Sequence, residues 1–75
     1  MKFRGRMIDA MKEHARGHIA KHKMNVEVYF RNAACIWGDG NAYILEEIEK
    51  ELDIVARYDD QLAMLDKYFP EYING

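Results

Sequence analysis

Three histidines, His14, His18 and His22, stand four residues apart in the first third of the chain. On a helix this spacing stacks imidazoles along one side, and a pair four apart can grip one metal ion through two ring nitrogens. In an antiparallel arrangement Asp59 or Asp60 falls opposite His14 and Glu51 near His22, which would add oxygen ligands. Against this, a rotation of about 100° per residue fans the three rings across roughly 80°, so they do not converge easily on one ion. The chain has neither the Glu-x-x-His pairs of di-iron bundles nor the His-Glu-x-x-His of zinc proteases. The reading is no resident metal and no other cofactor, with His14, His18 and His22 as the metal candidates and an interface as their ordinary role. Imidazoles buried at such a seam would make assembly respond to pH near about 6–7.

Other candidate chemistry is weaker. Cys35, the one cysteine, lies between Ala34 and Ile36, with no neighbouring cation to favour a thiolate, and reads as part of an apolar plug with Ile36 and Trp37. Gly38-Asp39-Gly40 precedes a helix but lacks the Gly-x-x-x-x-Gly-Lys pattern, and Asp39 and the glutamates after it repel anions, so it reads as a turn. Lys12, Arg16 and Lys23 share a helix face and are the candidates for nucleic-acid backbone contacts. A sequence pI near 5.9 and the lack of a helix-turn-helix or zinc-finger signature weigh against that use. Met7, Met11, Met24 and Met64, with Tyr43, Tyr58, Tyr68 and Tyr72, could make an adaptable partner surface, although their helical spacing also suits core and rim.

The elements that would position these residues are two amphipathic helices. Ile8, Met11, Ala15, Ile19, His22, Val26, Tyr29 and Ala33 recur at steps of three and four, while Asp9, Glu13, Arg16, Lys23 and Glu27 point away; this predicts a helix over about 4–32. Val26, Val28 and Phe30 also alternate with polar neighbours at the period of a strand, so an α+β alternative places a short strand at 25–31. The helical phase runs unbroken through Val26 and Tyr29, and a strand would lack a partner, so helix is preferred. A turn covers about 33–41. Ile48, Val55, Leu62 and Phe69, seven apart, then predict a second helix over about 41–69, with Asp39 or Asn41 as its cap and a possible break at 58–60.

The 75 residues form a single domain, about half apolar and a third charged, a balance that folds. No apolar run approaches the roughly 18–20 residues of a membrane span, and no signal-like core follows Met1, so a cytoplasmic location is expected. The lone cysteine fits a reducing compartment. Residues 1–31 carry eight Lys/Arg against three Asp/Glu, a net +5; residues 32–75 carry three against ten, a net −7. Folded as an antiparallel two-helix hairpin, the halves attract each other. Such a hairpin buries too little to offset an ordering cost of about 1–2 kcal/mol per residue. Leu45, Ile54, Val28 and Phe30 fall off the main seams. The fold expected is therefore all-α, a hairpin that dimerises into a four-helix bundle.

Met7-Ile8-Asp9-Ala10, the segment His18 to Phe30 and the helix ending Met64-Leu65-Asp66-Lys67-Tyr68-Phe69 resemble small proteins of marine T4-like bacteriophages. Those proteins carry a proline-glycine loop where this chain has Ala33-Ala34-Cys35-Ile36-Trp37. The resemblance implies a phage-infected bacterial cytoplasm as the setting and carries no activity or catalytic residue with it. The function expected is a non-enzymatic homo-oligomer, most simply a dimer, acting through protein contacts as a structural or accessory factor with a partner not identified by sequence. The alternatives are a nucleic-acid-binding regulator using the basic first helix and a metal-binding bundle using the histidine ladder.

Overall fold

The computed structural model describes residues 2–33 and 40–70. They form two helices, α1 (Lys2–Ala33) and α2 (Gly40–Tyr68), packed against each other as an antiparallel hairpin with extents of 60 × 15 × 13 Å. Among the described residues there is no strand. The strand alternative at 25–31 is thereby corrected: Val26 and Tyr29 join Ile44 and Ile48 in one apolar cluster, and that helical side is what the segment buries. The expected turn, the Cys35 to Trp37 plug, the Asp39 cap and Tyr72 lie outside the described residues. Because α2 begins at Gly40, Asn41 stands inside the helix and not at its cap.

The possible break at 58–60 does not occur, and α2 runs continuously through Tyr58, Asp59 and Asp60. Tyr58, Leu62 and Leu65 keep their half-buried places facing α1, while the two aspartates point to solvent, so a continuous helix meets both demands. The helix stops where it must. Phe69 N donates the last backbone bond to Leu65 O at 3.0 Å, and Pro70, without an N–H, cannot continue the ladder. Arg4 Nη1 then donates to Pro70 O at 2.9 Å, tying the end of α2 to the start of α1.

The seam is narrow. Ile8, Ala15, Val26, Ile44 and Ile48 are buried, and Ala15 is the most enclosed at 1 % exposure, its small side chain letting the two backbones approach. Met11 and Phe69, expected on the seams, are about half exposed; both line an open cleft with Phe3 and Met7 and so are not closed over by the opposite helix. Val28, Phe30 and Leu45 are exposed as expected, whereas Ile54, also expected exposed, is half-buried at the seam edge beside Val55 and Tyr58.

Gly5 and Gly17 lie within α1, and a methyl group added at either would meet nothing within 4 Å. Glycine in a helix interior costs roughly 0.5–1 kcal/mol relative to alanine. Gly17→Ala should therefore raise the thermal midpoint by several degrees, at about 4–8 °C per kcal/mol for a chain of this size. Circular dichroism at 222 nm during a thermal ramp measures it; an unchanged or lower midpoint would show that the glycine has a use the fold does not reveal.

Candidate functional site

The polar residues of the seam gather on one side of the hairpin. His22 on α1 meets Glu51 on α2, the ring Nδ1–H donating to Oε2, and Asn25 Nδ2 donates to Oε1 of the same carboxylate at 3.2 Å. Both oxygens are thus satisfied from the opposite helix. The His22 and Glu51 side chains are only 12 % and 16 % exposed, so this is a partly dry polar layer inside an apolar seam. Desolvation pushes the Glu51 carboxyl upward, but the bonds from His22 and Asn25, with the positive charge of His22 and Lys21, outweigh it and hold the group below its ordinary value of 4.5.

One turn towards the N-terminus of α1, His18 stacks on Tyr58 with ring centroids 4.4 Å apart and planes within 5°. His14 meets the edges of both, 4.5 Å from His18 and 5.9 Å from Tyr58. His18 and His22 lie parallel at 5.9 Å. The Arg57 guanidinium stands over the Tyr58 ring at 5.8 Å. The histidine ladder is therefore a ring stack. Imidazole lone pairs lie in the ring plane, and two parallel stacked rings cannot both aim them at one ion about 2 Å from each nitrogen. Among the described residues no three His, Cys, Asp or Glu side chains are grouped to hold a metal ion. Glu51 falls beside His22 as the antiparallel arithmetic expects, but Tyr58, not Asp59 or Asp60, is the residue opposite His14.

His18 is held below its ordinary value of 6.5, first by desolvation and then by repulsion from His14, His22 and Lys21. The unfolded chain therefore takes up this proton more readily than the folded one, so stability is full above 6.5 and is lost as pH falls towards the depressed folded value. The groups around the ring are His14, His22 and Lys21 on α1 and Tyr58, with Arg57 behind it, on α2. Thermal midpoints should fall on acidification from neutrality through this window. In His18→Phe, which keeps a stacking ring and removes the proton, the fall should be shallower; an identical pH slope would place the effect elsewhere.

The three cations proposed for nucleic acid do not stand alone. Lys12 Nζ lies 2.9 Å from Asp66 Oδ1, with its side chain only 12 % exposed. Arg16 Nη1 donates to Glu13 Oε1 at 2.7 Å, and Lys23 shares the wall of a groove with Glu27. That groove, about 700 Å³, runs along the side of the hairpin away from the histidines, with a floor of Ile19, Ala20, Met24, Leu52 and Leu62. A second cleft, about 580 Å³, opens near the N-terminus of α1 between Phe3, Met7, Met11, Leu65 and Phe69. Two of the four methionines noted in the sequence thus line the cleft and a third lines the groove.

Fold and site together define an antiparallel α-hairpin whose seam carries a His-Asn-Glu layer and whose flanks are apolar. Comparison with protein-family models, curated proteins and solved structures returns no match. None of the hairpin's helices is long and apolar enough to cross a membrane.

Proposed function

We propose that this chain is a non-enzymatic module that self-associates and acts through protein contacts, as a structural or accessory factor in the bacterial cytoplasm during phage infection. One observation carries the reading: among the described residues twelve large apolar side chains are exposed, against five apolar side chains buried. Scattered exposed apolar residues are ordinary, but here six of the twelve, Phe3, Met7, Met11, Met24, Leu52 and Phe69, line a groove and a cleft on a two-helix body. The His22-Asn25-Glu51 layer supports the same reading, because its members satisfy one another across the seam.

Light scattering after size exclusion tests it. The expected mass at micromolar concentration is twice the 8.9 kDa of one chain. A monomer mass combined with cooperative unfolding would sink the proposal. The surplus of cations on α1 favours nucleic-acid binding as a second reading; salt-sensitive retention on a DNA or RNA column would support it, and no retention at low salt would end it.

A further inference from the structure

The groove on the side away from the histidines has walls of both charge signs, and the two helices that form it differ sharply in charge. Over Lys2–Ala33 there are eight Lys/Arg and three Asp/Glu, so α1 carries +5; over Gly40–Tyr68 there are three and eight, so α2 carries −5. Arg16 stands on the α1 wall and Asp59 on the α2 wall.

Two copies of a hairpin that meet face to face through a twofold axis have two ways to do so. An axis lying across the helices sets α1 on α1 and α2 on α2, which brings +5 against +5 and −5 against −5. An axis running along the helices sets the α1 of each copy on the α2 of the other, antiparallel, and brings opposite charges together. Like charges in contact are unfavourable and opposite charges favourable by the same Coulomb law, so the second arrangement is the one this sequence supports.

The register follows. Within one chain Lys12 meets Asp66 and His18 stacks on Tyr58, so the level of Arg16 on α1 corresponds to about Asp59 to Leu62 on α2. An axis along the hairpin preserves levels, and Arg16 of each copy therefore comes opposite Asp59 of the other. The side of the hairpin that holds the groove measures 60 Å by 15 Å, about 900 Å² in flat projection, so a copy lying along its whole length reaches the roughly 800 Å² per partner of a standard stable interface. The cleft at the other side has Arg4 as its only charged wall residue and offers no such self-complementary pattern.

We infer that a second copy of this chain covers the groove floored by Ile19, Ala20, Met24, Leu52 and Leu62, its acidic α2 lying on the basic α1 about a twofold axis along the hairpin. This rests on the self-association proposed above and assigns it a face, a symmetry and a register.

A charge exchange on the full chain tests it, with circular dichroism confirming that each variant is helical. Arg16→Glu places two acidic residues opposite each other at both symmetry-related contacts, and Asp59→Arg places two cations there. Each variant alone should dissociate at least about tenfold more readily than the parent. An equimolar mixture of the two variants should recover the parent's affinity as a mixed dimer, identified by native mass spectrometry. The double variant Arg16→Glu/Asp59→Arg should recover it within one chain type. Met7→Gln, in the other cleft, should leave the dimer mass unchanged. If the parent is a dimer and the mixture does not recover, this face and symmetry are wrong while self-association stands. A parent that remains a monomer overturns both.

Discussion

Ile48→Ala should cost this protein a large part of its stability. Ile48 is only 5 % exposed and belongs to the buried apolar cluster in which Val26, Ile44 and Tyr29 meet. Truncating a buried isoleucine to alanine removes transfer energy and leaves a cavity, together about 2–5 kcal/mol. Whole domains hold only about 5–15 kcal/mol, and short chains lie at the low end of that range. With about 4–8 °C per kcal/mol at this size, the midpoint should drop by more than about 10 °C. Val28→Ala is the control, since Val28 is about half exposed and its loss should fall within about 0.5 kcal/mol. A chemical denaturation series on the two variants checks this. Equal effects at the two positions would mean that the seam between α1 and α2 is not where the stability resides.

The seam was legible in the sequence because its signal is periodic. The steps from Ile8 through Ala15 to Val26, and the seven-residue spacing of Ile48, Val55 and Leu62, report which side of each helix avoids water, and two helices joined by a short connection have few ways to hide those sides. The proximity of His22 and Glu51 followed from counting residues back from the turn. The role of Ala15 was not legible: it fits the apolar phase, but that it is the most enclosed residue of the seam depends on how the two helices pack. Nor was that of Lys12. Its place on a polar face suggested an outside partner, and its meeting with Asp66 appears only when the open ends of the hairpin are set side by side.

The sequence leaves a break at Tyr58 possible for a physical reason. Followed by two aspartates, it has the look of a helix stop, because aspartate competes with the backbone for hydrogen bonds and favours caps and turns. Yet Glu51, Tyr58 and Leu65 are spaced seven apart on the side that faces α1, and that tertiary contact overrides local preference. The metal-like spacing of the histidines misleads in a related way. Four-residue steps put rings side by side, and whether they then stack or converge is decided by what stands opposite, here the flat face of Tyr58.

Glu51→Leu is expected to be the most damaging change among the polar residues, and its rescue tells what the polar layer is for. With the carboxylate gone, His22 and Asn25 each lose their partner in a setting where water replaces it only in part, at a cost of about 1–3 kcal/mol. The acid sensitivity should change as well. Glu51 is depressed below 4.5 in the fold, so its contribution is present above that value and is lost as pH falls through the folded value; the variant should lack this lower step. Replacing the main pair, His22→Leu/Glu51→Leu, removes the unmatched imidazole and leaves only the half-buried Asn25 amide to find water, and should recover much of the parental stability, since well-packed apolar pairs match or outdo polar ones. What the double variant should lose is register. Ile48, Val55 and Leu62 repeat every seven residues, so taken alone they specify the alignment with α1 weakly; the His22–Glu51–Asn25 layer adds polar groups that are matched in the observed alignment. The expected result is thus a double variant with a higher midpoint than Glu51→Leu but broadened or duplicated amide resonances in a two-dimensional NMR spectrum. One sharp set of peaks from the double variant would show that apolar packing alone fixes the alignment of the two helices, and would remove the reason for a polar layer at the centre of the seam.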